Sequence, residues 1–257
     1  MAYLFPPQPM PAQMPAPMLH ARHTPVHRTA RCAVGLWLFV AAMTALWVSG
    51  GRAAERPLRL LAFGDSLVHG YGLPAGATFP EQLQAALRQR GFMVDVINGG
   101  NSGDTTAAAR ARLAWTASPQ PDAALVELGA NDGLRGLDPA TTYDNLDAIL
   151  SELAAQGIPV LLAGMLAPRN LGAEYAAEFD AVFPRLGARH GVALYPFFLD
   201  GVALNPDLNQ ADGIHPNEAG VAVIVERILP SVLRLLEDVH KGAQNGAARV
   251  PGSAAHG

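Results

Sequence analysis

Five short apolar segments alternate with amphipathic segments along the chain, and this alternation limits the possible folds more than any other feature. The apolar segments cover residues 60–63, 93–97, 122–128, 158–165 and 192–195. Each has the length of a strand, and the segments between them carry apolar residues at helical spacing. Parallel strands need a crossover connection, which is usually a helix. Strict alternation therefore predicts an α/β fold with a five-stranded parallel sheet covered by helices on both faces.

The same patterns predict where the helices lie. Apolar spacing and capping residues predict helices over 79–90, up to about residue 117, over 139–156 and over 173–190. A last helix opens near Asp212–Pro216 and ends at about Val239. Residues 240–257 are predicted to form a disordered tail.

The first 53 residues differ in character from the rest of the chain. They contain no Asp or Glu, they carry Arg22, Arg28 and Arg31, and the run Ala33–Val48 is uncharged. This pattern is typical of an export signal, with cleavage possible after Ala53, but a retained membrane anchor or a buried helix would also fit. We therefore divide the chain into a signal peptide or anchor (1–53), a folded domain (54–239) and the tail (240–257). The first two readings place the domain in the periplasm or outside the cell, or hold it at the inner membrane facing the periplasm.

Composition excludes several classes of function. All 22 Asp and Glu residues follow residue 53, and this acidic body disfavours binding to nucleic acid. Lys241 is the only lysine, so the domain has no Walker P-loop and no lysine for Schiff-base chemistry. Cys32, the only cysteine, precedes the domain, which excludes disulfides, thiolate metal sites and cysteine nucleophiles there.

Five residues with catalytic potential follow the predicted strands: Ser66, Gly103, Asn131, Asp212 and His215. Parallel topology brings such positions to one edge of the sheet. A serine hydroxyl needs a base to become a nucleophile, and histidine, with an ordinary pKa of about 6.5, can serve at neutral pH. Asp212 can hold the other ring nitrogen of His215. The N–H groups of Ser66 and Gly103 and the side-chain amide of Asn131 can stabilise an oxyanion.

Less specific interpretations of these residues remain open at this stage. Ser66 and Asn131 could be helix caps, and Asp212 could belong to a simple turn. His69 is a second candidate base, although nothing acidic follows to orient it. Asp212, His215 and Glu218 could hold a metal, but no second His or Cys stands near them. Five apolar residues on loops at the same edge could line an acyl pocket or pack in the core: Leu134, Leu137, Met165, Leu166 and Leu171.

Four sequence blocks resemble those of the SGNH (GDSL) hydrolases in order and spacing. They are GDSL at 64–67, SGDT at 102–105, GAND at 129–132 and DGIHP at 212–216. The run Leu125–Gly136 is most similar to the branch of bacterial periplasmic thioesterases, lysophospholipases and arylesterases. The resemblance implies a three-layer flavodoxin-like fold and serine acyl transfer without a metal or other cofactor. It also implies the same roles for the five site residues.

The sequence thus predicts a serine hydrolase that cleaves small-molecule or lipid acyl esters and thioesters through an acyl-enzyme. A carbohydrate deacetylase of the same superfamily is the alternative enzyme. A catalytically silent envelope binding protein is the alternative outside enzymes. The sequence leaves the oligomeric state open.

Overall fold

The computed structural model describes residues 56–247, so the predicted signal peptide or anchor lies outside the described residues. Five strands form one sheet in the order β2-β1-β3-β4-β5, and every neighbouring pair is parallel. The strands are β1 Leu58–Gly64, β2 Val94–Gly100, β3 Ala123–Glu127, β4 Val160–Ala163 and β5 Ala193–Tyr195. This confirms the predicted α/β class and the number of strands.

Eight α-helices and one 3-10 turn connect and cover the strands within the described range. The helices are α1 Ser66–His69, α2 Phe79–Gln89, α3 Thr106–Thr116, α4 Ala130–Leu134, α5 Pro139–Ala155, α6 Ala173–Asp180, α7 Val182–His190 and α8 Glu218–Ala247; the 3-10 turn is Arg169–Leu171. Within residues 56–247, no helix combines the length and the apolar character needed to cross a membrane.

The helices form two layers with the sheet between them. Helices α2 and α8 pack together on one face, and α5 packs against α3 and α7 on the other. Strands β1 and β3 lie in the middle, and residues 60–63 and 123–126 are fully buried. Burial on both faces explains why these strands are continuous apolar runs without alternation.

Two helix predictions differ from the structure. The predicted helix over 173–190 is interrupted at Ala181. Pro184 has no N–H to donate to Asp180, and its ring would clash with that carbonyl in a continuous helix, so the chain restarts with Pro184 in the first turn of α7.

The predicted disordered tail is wrong over residues 240–247, because α8 continues as far as Ala247. This stretch contains no proline to end the helix, and its two glycines lower the helix propensity without blocking the helical conformation. Residues 248–257 lie outside the described residues. The helix also begins only at Glu218, so Asp212–Pro216 forms a turned segment before it.

Candidate active site

The turn between β1 and α1 positions Ser66. Gly64 ends the strand, Asp65 is the N-cap of α1, and Ser66 is its first residue. The Asp65 Oδ1 accepts a hydrogen bond from the Leu67 N–H at 3.0 Å, which fixes the turn. A side chain at position 64 would not fit, because its Cβ would lie 2.7 Å from the carbonyl oxygen of Glu127. The Ser66 N–H, at the start of a helix, has no partner within that helix.

His215 joins Ser66 to Asp212. Its Nε2 lies 3.0 Å from the Ser66 Oγ, and its Nδ1 lies 2.6 Å from the Asp212 Oδ2. The other carboxylate oxygen of Asp212 accepts the N–H groups of Ile214 and His215, each at 3.0 Å. The hydrogen bond from the His215 N–H is the main reason that the pKa of Asp212 falls to about 2. Asp212 is therefore an anion at neutral pH, facing the ring nitrogen that must carry a proton.

Two further residues hold the His215 segment against the turn at Ser66. The ring of Tyr71 lies 4.6 Å from the His215 ring, centroid to centroid, at 37°. The Gln210 N–H donates to the carbonyl of His215 at 2.7 Å, and the Gln210 Nε2 donates to the carbonyl of Tyr71 at 2.8 Å. Contacts with Tyr71 and Gln210 thus hold His215 in place.

Asn131 also reaches the turn at Ser66. It lies in α4, directly after β3, and its Nδ2 donates to the Asp65 Oδ2 at 3.2 Å. A side-chain amide has two N–H bonds, so this contact leaves one free to face a substrate. The other predicted donor, Gly103, lies on the exposed loop after β2 with φ +86°, and its carbonyl accepts from the Arg135 Nη2 at 2.9 Å.

Buried polar side chains connect the loops that carry Gly103 and Asn131. The Asp132 carboxylate accepts from the Thr106 N–H at 2.8 Å and from the Thr106 hydroxyl at 2.6 Å. The Thr142 hydroxyl also donates to it, at 3.3 Å. Because Asp132 follows Asn131 directly, these bonds fix the start of α4 relative to the start of α3.

Arg112 of α3 connects the ends of two strands. Its guanidinium donates to the carbonyls of Gly64 at 2.8 Å and Gly99 at 2.9 Å, and it pairs with Asp104 at 2.6 Å. It also lies over the ring of Phe63, 4.6 Å from the centroid. Asp104 follows Gly103, so the Arg112 side chain fixes the Gly103 loop relative to the turn at Ser66.

The alternative candidates are placed differently. His69 is exposed, and its Nδ1 lies 3.3 Å from the carbonyl of Gly100, with no hydrogen bond to Ser66 among the described residues. Across residues 56–247, no three His, Cys, Asp or Glu side chains are grouped as metal ligands. Of the five candidate pocket residues, Met165 is buried, whereas the four leucines are between 37% and 51% exposed.

Sequence reasoning did not single out Asp65, Glu127 or Tyr71. Asp65 and Glu127 are both fully buried at the strand ends below Ser66. Glu127 gives one signal that was available, since it is an acid inside an otherwise apolar strand segment. The contact of Tyr71 with His215 depends on how two distant loops meet, which local patterns do not reveal.

Comparisons with known proteins agree on one family. The family model of the GDSL-like lipase/acylhydrolase family matches residues 62–223. An arylesterase of Vibrio mimicus is 37% identical over 72% of this chain and 92% of its own length. The esterase TesA of Pseudomonas aeruginosa is 39% identical, over 69% of this chain and 89% of its own length. The thioesterase 1/protease 1/lysophospholipase L1 of Escherichia coli K12 is 42% identical, over 62% and 75%.

Solved structures give the same result. The crystal structure of AlinE4, an esterase of the SGNH-hydrolase family, is 46% identical and covers 71% of this chain and 98% of its own, with a TM-score of 0.61. A crystal structure of TesA is 38% identical, covers 69% and 99%, and has a TM-score of 0.66.

Proposed function

Because the chain belongs to the GDSL-like lipase/acylhydrolase family, we propose that it hydrolyses acyl esters and thioesters with Ser66 as nucleophile, His215 as base and Asp212 as the residue that orients the base. The continuous hydrogen-bonded relay from the Ser66 Oγ through His215 to Asp212 carries this proposal. The distances of 3.0 Å and 2.6 Å suit proton transfer to His215 and charge stabilisation by Asp212.

In the acylation step, the Ser66 Oγ attacks the carbonyl carbon of the substrate while its proton moves to the His215 Nε2. The carbonyl oxygen becomes an oxyanion, which accepts hydrogen bonds from the N–H groups of Ser66 and Gly103 and from the amide of Asn131. When the tetrahedral intermediate collapses, His215 gives the proton to the leaving alcohol or thiol. Asp212 stays ionised throughout and stabilises the imidazolium.

Deacylation repeats the same chemistry with water. His215 takes a proton from the water as it attacks the acyl group on Ser66, and the second tetrahedral intermediate uses the same donors. Collapse returns the proton to the Ser66 Oγ and releases the carboxylic acid. The groups that move protons and stabilise the oxyanion in each step are side chains and backbone groups of this chain.

The names of the relatives indicate the substrate range. They include an arylesterase, an esterase and a thioesterase/lysophospholipase. We propose that the present chain likewise takes acyl groups joined to an alcohol, a phenol or a thiol. The exposed side chains of Leu134, Leu137, Leu166 and Leu171 supply apolar surface for the acyl chain.

The test is a kinetic panel of aryl esters and acyl-CoA thioesters of rising chain length, with Ser66→Ala as the blank. We expect turnover that depends on chain length and is absent from the blank. Turnover of acetylated sugars alone would select the deacetylase alternative. Absence of turnover with every activated ester, by folded protein, would select the binding protein.

A further inference from the structure

Glu127 is an acid in an unusual place, and the proposed mechanism does not use it. It is the last residue of β3 and is fully buried. Within the described residues, neither of its carboxyl oxygens has a hydrogen-bond partner; the Asp65 N–H faces the carboxyl without completing a bond. The side chain lies against Gly64, where an added Cβ would be 2.7 Å from the Glu127 Oε2. It therefore sits directly below the turn that carries Ser66.

Asp65, the neighbouring buried carboxyl, has the hydrogen-bond donors that Glu127 lacks. Its two oxygens accept from the Leu67 N–H at 3.0 Å and from the Asn131 Nδ2 at 3.2 Å. A buried carboxylate is stable only where donors replace water. Of two adjacent buried carboxyl groups, the one with donors keeps the negative charge and the other keeps the proton.

Burial raises the pKa of Asp65, but only to about 6, because the hydrogen bonds from the Leu67 N–H and the Asn131 amide oppose the shift. Asp65 is therefore mainly ionised at pH 7. The nearby cation Arg112 donates its hydrogen bonds to Asp104 and to the carbonyls of Gly64 and Gly99. Burial, together with the charge of Asp65, raises the pKa of Glu127 well above its usual range.

Resting on the oxyanion role proposed for Asn131, we infer that Glu127 is a positioning residue that acts as an uncharged acid, so that Asp65 is the charged member of this buried pair and orients the Asn131 amide. A second negative charge at Glu127 would compete with Asp65 for the same N–H donors and would repel the oxyanion that forms on the substrate. Because Glu127 is uncharged, the Asp65 carboxylate can hold the Asn131 amide without a second negative charge beside it.

The first test is a pH titration of the full chain by ¹³C NMR, with glutamate labelled at its side-chain carboxyl carbon. Glu127→Gln identifies the Glu127 signal, and Glu226→Gln, on the exposed side of α8, is the matched control. We expect the Glu127 signal to remain that of the protonated acid at pH 7, while the Glu226 signal is that of a carboxylate. An ionised Glu127 at pH 7 would overturn the inference. If E127Q does not fold, the wild-type spectrum alone tests the inference, because it must show one glutamate signal that remains that of the protonated acid at pH 7.

The second test links this charge state to catalysis. E127Q, whose amide resembles the neutral acid, should keep kcat within about threefold of wild type at pH 7. Asp65→Asn should lose about 10²–10³ in kcat at little-changed KM, because the one oxygen of its amide cannot replace the two carboxylate oxygens that accept from the Leu67 N–H and the Asn131 amide. A large kcat loss in folded E127Q, or a wild-type kcat in D65N, would refute the inference.

The Asn131→Ala variant separates this inference from the proposed function. If N131A keeps full kcat, the oxyanion role itself is wrong. If N131A is slow but D65N is not, only the orienting role of the carboxyl pair is wrong.

Discussion

At the scale of single residues, protonation of Asp212 does not account for a loss of activity at mildly acid pH. The pKa of Asp212 is lowered to about 2, chiefly by the hydrogen bond from the His215 N–H. Because folding lowers the pKa of Asp212, the stability that its ionised carboxyl contributes is fully present above the pKa of the unfolded chain, about 3.9. This stability is lost as the pH falls towards 2. Asp212 therefore keeps its charge across the range in which a histidine titrates.

We accordingly predict that protonation of Asp212 does not limit kcat/KM between pH 4 and pH 9, because its carboxyl stays ionised over that range. His215→Ala should lower kcat by about 10⁴–10⁶, whereas His69→Ala, on an exposed side chain, should keep most of it. Steady-state kinetics on an aryl ester between pH 4 and pH 9 measure both. The opposite ranking of the two variants would overturn the assignment of the base.

Asn131 offers a prediction of a different kind, because its amide has no proton to exchange and its contribution is electrostatic. Asn131→Ala should lower kcat by about 10²–10³ with KM little changed, since the donor binds the transition state more strongly than the substrate carbonyl. Asn170→Ala, on an exposed turn, is the matched control. A thermal melt of each variant accompanies the kinetics. A destabilised N131A with unchanged kcat would reduce Asn131 to a structural role.

Individual residues also show what sequence can and cannot predict. Ser66, Asp212 and His215 were expected to meet because each follows a strand of a parallel sheet, and His215 lies within hydrogen-bonding distance of both Ser66 and Asp212. The burial of Asp65 beside Glu127 was not expected. It depends on the register that sets Gly64 opposite Glu127 across β1 and β3, and local hydrophobic patterns do not encode that register.

At the scale of elements, Arg112 couples the ends of β1 and β2 to the loop that carries Gly103. We predict that Arg112→Lys destabilises the protein by about 2–4 kcal/mol, because an ammonium cannot reproduce the forked contacts to two carbonyls and Asp104. It should also lower kcat, since the Gly103 loop loses its anchor. Chemical denaturation and kinetics measure the two effects.

Arg88→Lys is the control for this prediction. Arg88 pairs with Asp95 at 2.7 Å, but both side chains are about half exposed, so the loss should stay below about 1 kcal/mol. Equal effects of the two substitutions on stability would show that Arg112 is an ordinary surface contact.

The order and type of the elements were predictable, and their ends were less so. The lengths of the apolar runs, and the capped helical segments between them, predicted five strands, and the structure confirms these strands. The break at Ala181 could have been inferred from Pro184, but the apolar spacing continues across it and concealed it. Strand β2 runs on to Gly100 because Asn98–Gly100 pairs with the end of β1, which a polar, glycine-rich sequence does not indicate.

At the scale of the whole molecule, the sequence of the first 53 residues favours export. These residues include no Asp or Glu, they carry several arginines, and they contain a long uncharged run. We predict that cell fractionation finds active enzyme in the periplasm or the medium, without residues 1–53. Full-length enzyme in the inner membrane would select the anchor interpretation. Active enzyme in the cytosol with residues 1–53 intact would contradict export.

The central claim is that Ser66 carries the acyl group during turnover. It is tested most directly by reacting the enzyme with a fluorophosphonate and mapping the modified peptide by mass spectrometry. The proposed mechanism predicts a single adduct on Ser66, loss of turnover in proportion to labelling, and neither labelling nor turnover in Ser66→Ala. An adduct on another residue, or wild-type turnover by the alanine variant, would contradict it.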